Sequence, residues 1–109
     1  MAELIVAPAQ LKPAAATLST LLAVASGKSV VASTLTITNI GSATETARVA
    51  VSPAAAAIAD AHYKIYNLKV SPGNPYMATV GWLLAATDIV RVYSSGGNLV
   101  FNLEQMEVT

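Results

Sequence analysis

The segment "SVVASTLTITNI", residues 29–40, constrains the fold of this chain more than any other stretch. Leu35 and Ile37 alternate there with three threonines. Successive side chains of a β-strand point to opposite faces, so this spacing gives one apolar face and one polar face. β-Branched residues also fit a pleated surface well. The segment is therefore predicted to be a strand with one face in a hydrophobic core.

Further apolar segments recur along the chain, and turn-forming residues separate them. At least one Gly, Pro, Asn or Asp occurs in every break, and these residues suit tight turns. Asp88, for example, is predicted to accept backbone N–H groups in such a turn. The seven predicted strands are 17–25, 29–40, 45–52, 62–70, 76–85, 89–94 and 99–108. Seven short strands are enough for two packed sheets, so the predicted fold is all-β, an antiparallel β-sandwich.

Two irregular features are predicted within this pattern. In the last strand the apolar side chains of Leu99–Leu103 alternate on one face, whereas Met106 and Val108 have the opposite parity. A β-bulge near Glu104 and Gln105 would return both sets to the core. In the stretch 52–62, a serine followed by proline and an alanine run favours a single helical turn inside a crossing loop.

Residues 1–16 form a separate unit, an extended N-terminal arm, and residues 17–109 form the sandwich domain. The arm is rich in Ala and Pro, and Pro8 and Pro13 exclude a continuous helix. Lys12 and the apolar run after it also resemble a signal peptide. Polar residues interrupt that run, and its apolar positions share the parity of one strand face, so a first β-strand is favoured. These apolar positions are Leu18, Leu22 and Val24.

The composition narrows the class of partner. The chain is 54% hydrophobic and only 11% charged, with six basic and six acidic residues. It has no run of like charge, which argues against nucleic acid or an anionic membrane as a partner. So few charges cover a domain surface thinly, which favours burial of part of that surface in an assembly. The charge-free interval 70–87 contains prolines and glycines and is not predicted to span a membrane.

The residues that carry chemistry are sparse, and no enzyme, metal site or cofactor is predicted. Cysteine is absent, and the single histidine, His62, lies next to a predicted loop with Asp60 nearby. Both are expected to be ordinary surface residues rather than a catalytic pair. Glu104 and Glu107 would face opposite sides of a regular strand and are expected to be solvated charges. Gly27 is expected to lie in a turn, because the upstream glycine of a phosphate loop is missing.

Four aromatic residues leave two interpretations open. Tyr63, Tyr66, Trp82 and Tyr93 lie on predicted strands. Such side chains commonly anchor a core or an interface, because they combine a large buried area with one polar group. They also stack on sugar rings, which would suit a module that binds a receptor glycan.

The order of several motifs resembles small trimeric β-sandwich cement (decoration) proteins of tailed bacteriophages. The resemblance covers residues 17–109, and the arm matches none of its motifs. Its four cues are Ile37-Thr38-Asn39, the strand Arg48–Pro53, the crossing Ile58–Tyr63, and the hairpin Leu84–Ser95 that precedes a terminal strand. Related modules occur at the distal tips of phage tailspikes.

This resemblance implies a homotrimer on the outer capsid surface of a virion, with the major capsid protein as partner. We expect the arm to contact the shell or to be exchanged between subunits. The expected contact residues are Ala2, Leu4, Val6 and Leu11. The alternative function is a host-receptor module at a fibre or tailspike tip, which would bind glycan through Tyr63, Tyr66, Trp82 or Tyr93.

Overall fold

The computed structural model describes residues 3–5 and 7–108, and these form nine strands and two 3-10 turns. The strands are β1 (Glu3–Ile5), β2 (Ala9–Leu11), β3 (Ser19–Ala23), β4 (Ser29–Asn39), β5 (Glu45–Ser52), β6 (Tyr63–Val70), β7 (Tyr76–Leu84), β8 (Ile89–Ser94) and β9 (Leu99–Val108). The 3-10 turns are η1 (Pro53–Ala55) and η2 (Asp60–His62). The predicted all-β fold and the seven predicted strands are confirmed.

The strands form two antiparallel sheets that enclose one core. The five-stranded sheet has the order β1-β9-β4-β7, with β2 also paired to β9. The four-stranded sheet has the order β3-β8-β5-β6. All named strand pairs are antiparallel, as predicted for a β-sandwich. Neither sheet closes on itself, so β7 ends one sheet and β6 ends the other.

The arm contributes two strands that sequence reasoning did not predict. β1 lies opposite Met106–Val108 and β2 lies opposite Phe101–Leu103, so both cover the same edge of β9. Leu11 is half-buried and packs against the core. The chain then crosses to the other sheet, where the N–H of Ala16 donates to the carbonyl of Ser94 at 2.8 Å. The extended arm therefore belongs to the edge of the sandwich.

The core comes from the alternation that the sequence displays. Leu35 and Ile37 are fully buried, and the intervening threonines are half-exposed. Phe101 contributes the largest buried side chain from β9. On the other sheet Val49 and Val92 are fully buried. Burial of side chains of this size stabilises a fold by about 1.5–3 kcal/mol each, so the facing strands hold the two sheets together.

The predicted bulge near Glu104 and Gln105 is wrong in position and consequence. The register does shift at that level, but the extra residue lies in β4, where Ala32 opposes Gln105 and Leu35 opposes Leu103. β9 itself keeps its alternation, so Gln105 takes a core-side position. Met106 pairs with Val31 on the outer face and is half-exposed. The residue opposite Gln105 on β4 is fully buried Ala32, so at this level of β9 apolar parity no longer marks the buried side.

The first sandwich strand also differs from its predicted parity. Thr20 opposes Arg91 and Leu22 opposes Val90, which leaves Leu21 as an extra residue in β3. Leu21 is buried, whereas Leu22 is only half-buried. A bulge turns the intervening side chain toward the core without breaking the strand pair.

Two side chains, those of Asp88 and Asn39, accept backbone N–H groups and so hold the turns in which they lie. Asp88 accepts the N–H of Ala85 at 2.9 Å and the N–H of Ala54 at 3.0 Å. The predicted role of Asp88 in the β7–β8 turn is thus confirmed, and it also fixes η1 in the crossing loop. Two 3-10 turns take the place of the single predicted helical turn in that loop. Buried Asn39 accepts the N–H of Gly41 at 2.8 Å and holds the turn after β4.

Candidate functional sites

An aromatic stack with an arginine at its centre lies on the outer face of the four-stranded sheet. The Cζ atom of Arg48 lies 4.4 Å from the ring centroid of Tyr66 and 4.4 Å from that of Tyr93. Its Nε–H donates to Oδ1 of Asn67 at 2.7 Å. Tyr63 meets Tyr66 edge-on, with ring centroids 5.0 Å apart. The negative faces of two tyrosine rings and one amide oxygen together stabilise the guanidinium.

Three of the four candidate aromatics thus lie together, and each already contacts another member of the stack. Tyr66 is 59% exposed, yet it already carries Arg48 and the edge of Tyr63. Asp60 joins Tyr63 and Tyr66 around an open hollow of about 500 Å³. The stack ties β5, β6 and β8 together, so its first role is to stabilise this sheet face.

Trp82 lies apart from the three tyrosines, on the core-facing side of β7. It pairs with fully buried Ala32 and packs against the core, but it stays partly exposed. Since β7 is the last strand of its sheet, one side of the indole meets no further strand. The residue lines a cleft of about 340 Å³ between β7, β5, β6 and the crossing loop. Other residues at this Trp82 cleft are Pro53, His62, Lys64, Leu84 and Asp88.

The polar groups around the Trp82 cleft differ in how far they are already engaged. The N–H of Ala59 donates to Nδ1 of His62 at 3.0 Å, so the neutral imidazole carries its proton on Nε2. Each carboxylate oxygen of Asp88 accepts one backbone N–H. Lys64 forms no ion pair with the residues that the structure describes. The cleft therefore presents free donors beside a carboxylate that keeps spare acceptor capacity.

A buried carboxylate, Glu45, was not identified from the sequence. Its side chain is only 7% exposed and holds the turn between β8 and β9. Oε1 accepts from the hydroxyl of Ser94 at 2.8 Å and from the N–H groups of Gly96 at 3.0 Å and Asn98 at 3.2 Å. Oε2 accepts from Nδ2 of Asn98 at 2.9 Å. No sequence spacing predicts this contact, because the partners lie about fifty positions away.

These hydrogen bonds set the protonation of Glu45. Burial disfavours the charged carboxylate and would raise its pKa, but the hydrogen bond from Ser94 and those from Asn98 and Gly96 outweigh burial. The pKa of Glu45 consequently lies below its ordinary value of 4.5. At neutral pH the charged Glu45 therefore anchors this turn.

The residues considered as catalytic, metal-binding or phosphate-binding candidates do not lie together in one site. Nδ1 of His62 contacts the backbone of its own loop instead of Asp60. Oε1 of Glu107 forms an ion pair with Nζ of Lys28 at 2.9 Å, whereas Glu104 is exposed on the opposite face of β9. Gly27 has a φ of +78°, which suits a turn. Within residues 3–5 and 7–108, no three His, Cys, Asp or Glu side chains are grouped to hold a metal.

The predicted arm contacts fall in different settings. Leu4 lies in β1 opposite Glu107, and Leu11 lies in β2 opposite Phe101. Ala2 and Val6 lie outside the described residues. Leu11 is already partly buried against the core, so less of this side chain remains for a partner.

Comparisons with models of known protein families, with curated proteins and with solved structures found no match. Among the described residues, no helix has the length and apolar character needed to cross a membrane. Function therefore has to be argued from the surfaces and sites of this chain.

Proposed function

We propose that this chain is a structural virion protein, a capsid cement or decoration protein that reinforces the outer surface of a tailed-phage head as a homotrimer. The observation that carries the proposal is an apolar patch on the outer face of the five-stranded sheet, with exposed Glu104 as its charged neighbour on β9. Met77 and Leu83, both on β7, are 68% and 77% exposed. Val31 on β4 lies opposite Leu83, and Met106 on β9 lies opposite Val31, so apolar side chains continue across this face of the sheet. A patch of this kind favours a protein partner.

Apart from buried Glu45, the strands of the two sheets contain charges of opposite sign, which favours contact between unlike faces of neighbouring copies. Every lysine and arginine within a described strand belongs to the four-stranded sheet, namely Arg48, Lys64, Lys69 and Arg91. The strands of the five-stranded sheet contain only acidic charges, namely Glu3, Glu104 and Glu107. When each copy contacts the next through two different surfaces, the copies form a ring if the rotation between neighbours closes on itself. A trimer is the smallest such ring beyond a dimer.

The β7 edge supports the same proposal. This nine-residue strand has one neighbour, β4, and contains neither charge nor proline. Natural edge strands are usually protected from association by lysine, proline or a bulge. β7 has only the last of these, since the register shifts beside Gly81, whose φ is +61°. An edge that has a bulge but no charge or proline, beside an apolar patch, suits burial in an assembly.

Attachment to a shell would follow from many modest contacts. A trimer presents three copies of each contact, and the linked copies bind with a high effective concentration. Because the protein would bind the assembled shell, each bound copy would make shell opening more costly. The arm remains the proposed shell contact, with β1 and its neighbours at the edge of β9.

Copy number in purified particles tests the location. Quantitative mass spectrometry against the major capsid protein should find hundreds of copies per particle if the role is lattice-wide. A few to a few tens of copies would favour the alternative, a host-receptor module at a fibre or tailspike tip. Absence from the particle would refute both functions.

The variant Met77→Lys tests the apolar patch in the isolated protein. A lysine there places a charge at a buried contact, so we expect the variant to be monomeric at micromolar concentration, where the wild type is trimeric. Analytical ultracentrifugation measures the change. Ser42→Lys, in the exposed β4–β5 turn, is the matched control and should remain trimeric. A monomeric wild type, or a trimeric Met77→Lys variant, would contradict the proposed interface.

A further inference from the structure

The Trp82 cleft has the features of a ligand site. Its volume of about 340 Å³ is in the range of small-molecule pockets, which hold roughly 300–1,000 Å³. Four elements form its walls: β7 supplies Trp82 and Leu84, β6 supplies Lys64, β5 supplies Val51, and the crossing loop supplies His62 and Pro53. Apolar walls with a few polar groups at the rim favour a ligand that has both an apolar face and polar edges.

The free polar groups at this cleft are mainly donors. Lys64 has no ionic partner among residues 3–5 and 7–108. Nε2 of His62 is free to donate because Nδ1 is engaged. Asp88 adds acceptor capacity, since each of its oxygens accepts only one hydrogen bond. Hydroxyl groups, which both donate and accept, satisfy such a mixed set.

The charge and shape of the cleft narrow the chemical class of the ligand further. The lysine and the aspartate at the cleft compensate each other, so the site offers no net charge to a free anion. An indole face is electron-rich and attracts the partly positive C–H groups of a saturated ring. A pyranose presents such C–H groups on one face and hydroxyls around its edge.

We propose that the Trp82 cleft binds a neutral saccharide, with one pyranose ring on the indole of Trp82 and its hydroxyls on Lys64, His62 and Asp88. This site is separate from the stack of Tyr63, Tyr66 and Tyr93, in which the rings of Tyr66 and Tyr93 already hold Arg48. Its test does not depend on the proposed cement function, because the test uses the isolated protein.

Trp82 is the only tryptophan in the chain, which makes it a specific reporter. The full-length protein is titrated with methyl β-glucoside, methyl β-galactoside and N-acetylglucosamine at millimolar concentrations, and with glucuronate as a charged comparison. The indole N–H signal of Trp82 in NMR spectra and its fluorescence are recorded. We expect at least one neutral sugar to shift both signals saturably, and glucuronate to bind more weakly.

Two lysine variants test the assignment to this cleft. Lys64→Ala should weaken binding about tenfold, as expected for the loss of one hydrogen bond from a charged donor. Lys69→Ala, on the same strand but away from the cleft, should bind like wild type. Both lysines are exposed, so both variants should fold. The proposal is overturned if no neutral sugar moves the Trp82 signals, if glucuronate binds as tightly, or if the two variants bind equally. The copy number per particle is unaffected by any of these results.

Discussion

Replacing Glu45 by glutamine tests whether the buried carboxylate anchors the β8–β9 turn. The variant keeps one acceptor oxygen but removes the charge and turns an amide group toward Nδ2 of Asn98. Hydrogen bonds to a charged group contribute about 1.5–3 kcal/mol, against about 0.5–1.5 kcal/mol for neutral ones. Four such bonds are weakened or lost, and removal of the buried charge offsets part of the loss. We expect a net loss of about 2 kcal/mol in the free energy of unfolding.

Urea denaturation followed through Trp82 fluorescence measures this loss. For a domain of this size the dependence on urea is about 1–2 kcal/mol per molar, so the midpoint should fall by about 1–2 M. The matched control is Glu104→Gln, which changes an exposed glutamate on β9 and should shift the free energy by less than about 0.5 kcal/mol. All proteins are compared at one concentration, because association would add to stability. Equal midpoints for Glu45→Gln and wild type would refute the anchoring role.

The pH dependence of stability provides a second, independent test of the anchoring role of Glu45. The pKa of Glu45 is lower in the folded state than its ordinary value of 4.5. The stabilisation by this group is therefore fully present above the unfolded-state pKa and is lost as the pH falls through the folded-state pKa. The difference in stability between wild type and Glu45→Gln should stay constant at neutral pH and shrink below pH 4.5. A difference that grows on acidification would refute the reasoning.

Two further predictions concern the crossing loop and the aromatic stack. Asp88→Ala removes the acceptor that joins the β7–β8 turn to η1. The melting temperature measured by differential scanning calorimetry should therefore fall by about 5–10 °C. An unchanged melting temperature would show that the two hydrogen bonds contribute nothing to stability. Arg48→Lys keeps the charge but loses the planar group between Tyr66 and Tyr93, so it should cost about 1 kcal/mol in chemical denaturation. Stability equal to wild type would mean that charge alone suffices there.

Local patterns allowed the strands to be predicted, because alternation is a property of neighbouring residues. The segment 29–40 gives β4 almost to its ends, and the Gly-rich turn at 96–98 separates β8 from β9 as expected. The bulge in β4 lies at Ser33 and Thr34, where small polar side chains fit either face. Apolar parity carries no information at such positions, and the bulge was assigned to the wrong strand.

The candidate sites depended on distances that a linear sequence does not contain. The carboxylate of Glu45 meets donors from a turn at the far end of the chain, and that pairing exists only once β5 lies beside β8. Trp82 was correctly placed on a strand, yet its cleft depends on β7 being the last strand of its sheet. Sequence parity assigns a side chain to a face but does not tell where that face ends.

The proposed interface and the proposed saccharide site share an edge of the molecule, which makes their independence a physical question. Leu83 belongs to the apolar patch and also lines the Trp82 cleft, so a change at Leu83 would affect both. Met77 pairs with Thr36 near the other end of β7, and it does not line the cleft. Effects at separated sites without shared partners usually add. Met77→Lys should therefore separate assembly from ligand binding, unless a neighbouring copy itself closes the cleft. In that case the two equilibria are linked, and the sugar must change the association constant by the same factor by which association changes sugar affinity.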